Sequence, residues 1–342
     1  MVLRKNQITM FRNKNILLTP VVIIAITGVT AYLLKDKTDP KRSIASATIS
    51  VPAKQHWVIP DTTELTNGGE EAKLIKYGRA LIVNTSYYFG PKGVIARKSN
   101  GVNCQSCHLD AGTKFLGNNF SMVSACYPRF KERSRTFETI VEKVEDCFVR
   151  SLNGKEIDSS GREMKAFAAY LQWIGKNVKK GIKPVGSGIE ELSFLNRAAD
   201  TAKGRIVFVS KCQTCHGKNG AGVLKKNGVG YIYPPLWGEH SYNIGASIYR
   251  ISKFAGYVKN NMPFKAVKKN RLTAEQAWDV AAFVNSQYHP FKDISSDWPK
   301  LATKPYDYPF GPYADHLFTR NQHKYGPYEP IKNYYASLSG KK

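Results

Sequence analysis

Six cysteines constrain the chemistry of this chain more than any other residues, and four of them fall into two matching patterns. These are Cys104-Gln105-Ser106-Cys107-His108 and Cys212-Gln213-Thr214-Cys215-His216. Two thiols three positions apart on a helical turn reach the two vinyl groups of one porphyrin, and the adjacent histidine is then placed to ligate its iron. A shared four-cysteine zinc site is the rival, but the two pairs lie far apart in the chain and zinc would need neither histidine. A thioredoxin-like dithiol would occur once, beside a βαβ pattern that is absent here. The spacing predicts two covalently bound haem c groups, with Cys104, Cys107, Cys212 and Cys215 as attachment sites and His108 and His216 as proximal ligands. Attachment of this kind takes place outside the cytoplasm, which puts the main body on that side of the membrane.

The distal ligands decide what each haem can do. Asn261-Met262-Pro263-Phe264 follows the second motif and comes just before an apolar-periodic segment, where small c-type cytochromes present a methionine. We expect Met262 to ligate the second iron, giving a raised potential suited to electron transfer. The first motif has no such methionine: Met122 comes early and Met164 sits inside a helical segment. The spare cysteines are Cys126 and Cys147. In an oxidising compartment they could form a disulfide. Alternatively, one of them supplies an axial thiolate to the first haem, a ligand that is also a nucleophile toward sulfur.

The elements that must position these residues occur twice. Gly78-Arg79-Ala80-Leu81-Ile82 precedes the first motif and Gly204-Arg205-Ile206-Val207-Phe208 precedes the second. Each copy closes with small and aromatic residues at helical spacing, Met164–Ile174 and Ala277–Val284. Thr273 and Gln276 form a capping box before the second closing helix, and each leading glycine allows a close helix crossing. The expected fold is all-α: two tandem class I c-type cytochrome domains at 56–180 and 189–290, divided by a Gly/Pro-containing segment at 180–188. The tail, 291–342, is rich in Pro, Tyr and Gly without a helical period, so it is expected to wrap the surface irregularly.

At the N-terminus, Arg4, Lys5, Arg12 and Lys14 precede an uncharged run from Ile16 to Leu34. At ~1.5 Å per residue the run approaches the thickness of a bilayer core. It lacks the small-residue cleavage site of a signal peptide directly behind it. We expect residues 1–34 to be an anchor or signal and 35–55 a linker, holding a periplasmic protein at the inner membrane. The net charge is +25, from 51 basic and 26 acidic residues. That field favours an anionic partner. No zinc-finger or RNA-binding signature accompanies it, so no nucleic acid is expected.

The chain resembles the dihaem thiosulfate dehydrogenases. The matching stretches are Cys104–Gly112, Glu145–Gly154, Pro234–Gly238 through Ser241-Tyr242-Asn243, Asn261–Pro263, Ala277–Val280, and Gly311–Asp315 with Gln322–Pro327. The most diagnostic is Cys147-Phe148-Val149-Arg150-Ser151-Leu152-Asn153-Gly154. The resemblance covers about 56–335 and implies that Cys147 is the axial thiolate of a catalytic first haem. Two thiosulfates would be coupled into tetrathionate with release of two electrons, or the reverse. It further implies that Arg133 and Lys143 hold the sulfonate groups. Better-known members have arginine at the second position, where lysine loses the forked contact. Some members place a competing lysine before the methionine; Asn261 stands there in this chain. Cys126 matches no family ligand.

The dianionic substrates agree with the charge, and Arg129, Lys131, Arg133, Arg135, Lys143 and Arg150 surround the Cys147 region in sequence. A cysteine–thiosulfonate adduct on Cys147, attacked by a second thiosulfate, would complete a cycle. Electrons would leave through an external redox partner: a cytochrome, a high-potential carrier or a quinone-linked protein. The rival reading is a membrane-anchored electron carrier without a substrate of its own, which would carry two His/Met haems.

Overall fold

A computed structural model describes residues 55–267 and 270–339. Its longer helices are α1 (Glu70–Val83), α2 (Ile140–Arg150), α3 (Arg162–Ile174), α4 (Thr201–Lys211), α5 (Ile251–Asn261), α6 (Ala274–Ser286), α7 (Arg320–Tyr325) and α8 (Glu329–Ser339). The anchor segment at 1–34 and nearly all of the 35–55 linker lie outside the described residues. Among the described residues, no helix is long and apolar enough to cross a membrane.

Each haem motif is framed by a crossed helix pair, α1 with α3 and α4 with α6. The expected glycines are at both crossings. A Cβ on Gly78 would stand 2.0 Å from the Ala166 carbonyl oxygen, and one on Gly204 would stand 1.9 Å from that of Asp279. No other residue type fits backbones this close. Helix α3 turns Phe167, Tyr170, Leu171 and Ile174 into the first core. Burying each such side chain stabilises by about 1.5–3 kcal/mol relative to exposure. The capping box at Thr273 and Gln276 forms as expected, and Thr139 and Glu142 form another at the start of α2.

Short hairpins depart from the all-α expectation, and two further segments are more ordered than the sequence indicates. Two short antiparallel hairpins interrupt the helices: β1 (Arg129–Lys131) with β2 (Thr136–Glu138), and β3 (Val223–Leu224) with β4 (Tyr231–Tyr233). The 180–188 segment that divides the two copies is bonded to the first of them. Its Gly186 and Gly188 carbonyls accept from Leu116 N and Asn118 N at 2.8 and 2.9 Å, and Val185 pairs with His56. The tail is not irregular throughout, since α7 and α8 lie within it and Tyr328 and Ile331 are buried in the second core. Prolines and glycines broke the apparent period, but Thr319 still caps α7 through Gln322 N, and the apolar residues that follow dock on the body.

The described residues form one compact unit. Leu109, next to His108, joins the second core, while Tyr231 of β4 packs on the first. Asn100 Nδ2 donates to Ser241 O at 3.1 Å, and Asn243 N donates to Arg150 O at 3.1 Å.

Candidate functional site

Both motif histidines are prepared as ligands by a backbone carbonyl. His108 Nδ1 donates to Asn118 O at 2.6 Å, and His216 Nδ1 donates to Pro234 O at 2.8 Å. A carbonyl only accepts, so each proton sits on Nδ1 and the Nε2 lone pair remains for a metal. Burial pushes His108 down to about 4, with Lys143 adding to the effect against the Asn118 bond. The ring is therefore neutral at ordinary pH, the form that binds iron. The four motif cysteines are free thiols. Burial pushes Cys104 up to about 12 and Cys107 to about 11. Partly buried thiols beside a neutral imidazole with a directed lone pair fit a covalently attached haem in each domain.

Cys147 lies in the field of the first motif. Its charge raises the pKa of both Cys104 and Cys107, so α2 brings the spare cysteine to the first haem site. Lys143, Cys147 and Arg150 are spaced i, i+4, i+7 along that helix and share one face. Burial pushes the Cys147 thiol up, and the Lys143 ammonium pulls it back. Lys143 is itself pushed up, chiefly by Cys147 and against the opposing effect of burial. A half-buried thiol with an ammonium one turn away is poised to become a thiolate when metal or an electrophilic sulfur takes up its charge. No bond joins Cys147 to Cys126, which is a half-buried free thiol packed on the first core.

The basic residues divide into two groups. Arg133, Lys131, Lys143 and Arg150 converge on one carboxylate, Asp146. Burial alone would raise Asp146, but these four cations outweigh it and hold the group well below the usual carboxylate range. Lys131 also pairs with buried Glu138. Arg129 and Arg135 do not reach Asp146; they lie over the rings of Tyr127 and Phe130, each 4.9 Å from the centroid, and Arg129 also reaches Glu138 at 4.0 Å. A cleft of about 350 Å³ opens beside Asp146 and Arg150. Carboxylates outnumber cations on its walls and Cys147 is not among them, so it flanks the site and does not serve as an anion cavity.

Met262 follows α5 directly as its C-cap and packs in the second core with Cys212. Met164 is buried in the first core, where it fills space. Sequence reasoning missed Asp146, which directly precedes Cys147, and Asp297, whose carboxylate holds the Arg150 fork at 2.7 and 2.8 Å. Asp146 was within reach through its i, i+3 and i, i+4 spacing to Lys143 and Arg150. Nothing local signals Asp297.

Residues 95–179 match the family model described as the cytochrome c domain of SoxA/TsdA, and residues 201–287 match that of cytochrome c. A thiosulfate dehydrogenase of Stutzerimonas stutzeri is 30% identical over 80% of this chain and 86% of its own length. The chain belongs to the thiosulfate dehydrogenase family. Another thiosulfate dehydrogenase, from Psychrobacter arcticus, is 32% identical over 64% of each chain. The solved thiosulfate dehydrogenase (TsdBA) of Marichromatium purpuratum, in its "as isolated" form, is similar at 26% identity and a TM-score of 0.63. The match covers 73% of this chain and 51% of that one, so the chain spans about half the length of that solved relative. As a member of the thiosulfate dehydrogenase family, this chain is an oxidoreductase with two covalently bound haem c groups.

Proposed function

We propose that the chain joins two thiosulfates into tetrathionate at the first haem site, with Cys147 as the residue that meets sulfur. The observation that carries this reading is that Cys147 lies within electrostatic reach of Cys104 and Cys107, with Lys143 one turn away on the same helix face. Joining two S₂O₃²⁻ ions forms one S–S bond and releases two electrons and no proton, so the site needs cations and an electron sink, not an acid or base. When bound, the haems supply that sink and relay the electrons outward.

Cys104, Cys107 and His108 would hold the first group, and Cys212, Cys215, His216 and Met262 the second. Arg133 and Lys143 orient the sulfonates: arginine's fork matches a pair of sulfonate oxygens, while lysine offers a point charge. Lys131 adds positive potential. The Cys147 thiolate would be available to hold the first iron. In the sulfur chemistry it would join the outer sulfur of one thiosulfate as two electrons leave to the haems. The outer sulfur of a second thiosulfate would then displace it, forming the S–S bond of tetrathionate as the Cys147–sulfur bond breaks and the thiolate returns. The electrons pass to an external carrier, and the apolar run 16–34 keeps the protein at the outer face of the inner membrane. The positive field of the whole chain concentrates the dianions.

The test is steady-state turnover of the purified, haem-loaded chain with thiosulfate and an artificial electron acceptor, with tetrathionate measured as product. The same preparation should run in reverse with tetrathionate and a reductant. If thiosulfate oxidation and tetrathionate reduction are both absent while both haems are attached and reducible, the reading fails.

A further inference from the structure

We propose that Asp297, on the C-terminal tail, is a positioning residue for this thiosulfate site, acting through Arg150; the inference rests on the functional reading above. Four of the five N–H groups of Arg150 are committed. Nε donates to Asp146 Oδ1 at 2.8 Å. Nη1 and Nη2 grip the two oxygens of Asp297 at 2.8 and 2.7 Å. Nη1 also reaches Gly245 O at 3.3 Å. Arg133 commits fewer: Nη2 to Asp146 and Nη1 to Gly245 O at 3.3 Å. Arg150 is therefore a strut, and Arg133 is the guanidinium with donors left for a ligand.

The strut matters because of Asp146. Its Oδ1 is taken by Arg150, so Oδ2 alone faces Arg133, Lys131 and Lys143, the two lysines at 3.4 and 3.7 Å. If Arg150 were released, the Asp146 carboxylate could turn both oxygens onto Arg133 and Lys143 and compete with an incoming dianion. Asp297 prevents this by holding Arg150 from the far side, and only 6% of the Asp297 side chain is exposed. The next residue completes the clasp. Trp298 N donates to the Arg133 carbonyl at 2.8 Å. Trp298 adopts φ +63°, a left-handed conformation rare for a bulky side chain. The tail thus holds one arginine by its side chain and the other by its backbone, and it leaves the substrate cations only one Asp146 oxygen to pair with.

The experiment uses the full, haem-loaded chain and compares Asp297→Asn with Asp297→Glu. In Asp297→Asn, KM for thiosulfate should rise about tenfold with kcat within about twofold of wild type. Asp297→Glu, which keeps the charge, should recover most of the loss. Haem content and Tm are read on the same samples, because a purely structural role would lower Tm without this KM shift or its rescue. An unchanged KM in Asp297→Asn, or no recovery in Asp297→Glu, overturns the inference. If Asp297→Asn fails to load two haems, Arg150→Lys decides: it keeps the charge but removes the fork that Asp297 grips, so KM should rise several-fold, and a wild-type KM overturns the inference. An inactive wild type would instead overturn the thiosulfate reading itself.

Discussion

Tyr257, on the helix that leads into Met262, donates its hydroxyl to the carbonyl of Ser106 at 2.9 Å, between the two thiols of the first haem motif. Four residues on, Asn261 Nδ2 donates to Leu116 O at 3.0 Å. One face of α5 therefore clamps the first haem loop while its end carries Met262, packed in the second core, so the two domains share this helix as a wall.

Tyr257→Phe should cost about 1–2 kcal/mol in chemical denaturation, because it leaves the Ser106 carbonyl unpaired in a buried interface. The loss should appear as earlier unfolding of both haem environments together. If one haem signal shifts and the other does not, the clamp is not what couples them.

Replacing Cys147 with Gly should lower turnover by two to three decades, about 3–4 kcal/mol of transition-state stabilisation. Both haems should remain attached, since attachment uses other cysteines. Cys126→Ser should leave turnover and the first haem's spectrum intact and cost on the order of 1–3 kcal/mol of stability. Equal and mild effects of the two changes would rule out Cys147 as the sulfur-active group.

At the helix crossings, Gly204→Ala should destabilise by about 1–3 kcal/mol or more, because its methyl would meet the Asp279 carbonyl oxygen at 1.9 Å. Asp279 also holds the Arg197 fork at 2.8 and 3.0 Å, so a shift of α6 disturbs that pair too. Thermal unfolding of the haem-loaded variant checks this, and an unaltered Tm would mean that the crossing relaxes freely.

His289 sets an acid limit. Burial pushes it from 6.5 down to about 4, against its bonds to the carbonyls of Val284 and Tyr242. Above pH 6.5 neither the folded nor the unfolded chain protonates this ring, and its full contribution is present. Between pH 6.5 and 4 the unfolded chain takes up a proton that the folded one refuses, so stability falls as pH falls, by about 3 kcal/mol in all. His289→Phe should flatten the slope of unfolding free energy against pH by up to about one proton in that window. Identical slopes in wild type and variant would show that His289 is not the group responsible.

The haem count and the two glycine crossings were legible in the sequence. Each is a matter of short spacing along one turn or one helix, where covalent geometry fixes which atoms can meet. The Thr273–Gln276 cap is legible for the same reason. Tertiary structure decided the rest. That Asp146 gathers four cations, that Asp297 locks Arg150, and that Tyr257 reaches Ser106 depend on how α2, α5 and the tail pack against one another. Those pairs join residues far apart in the chain, and no local pattern records them. The helices of the tail were hidden because glycine and proline interrupt their period, and they are held by the burial of Tyr328 and Ile331 in a core built by other segments. The sequence determined the chemistry each motif carries, because ligand spacing is local; packing determined which charges surround that chemistry, because electrostatic partners are chosen by distance in space.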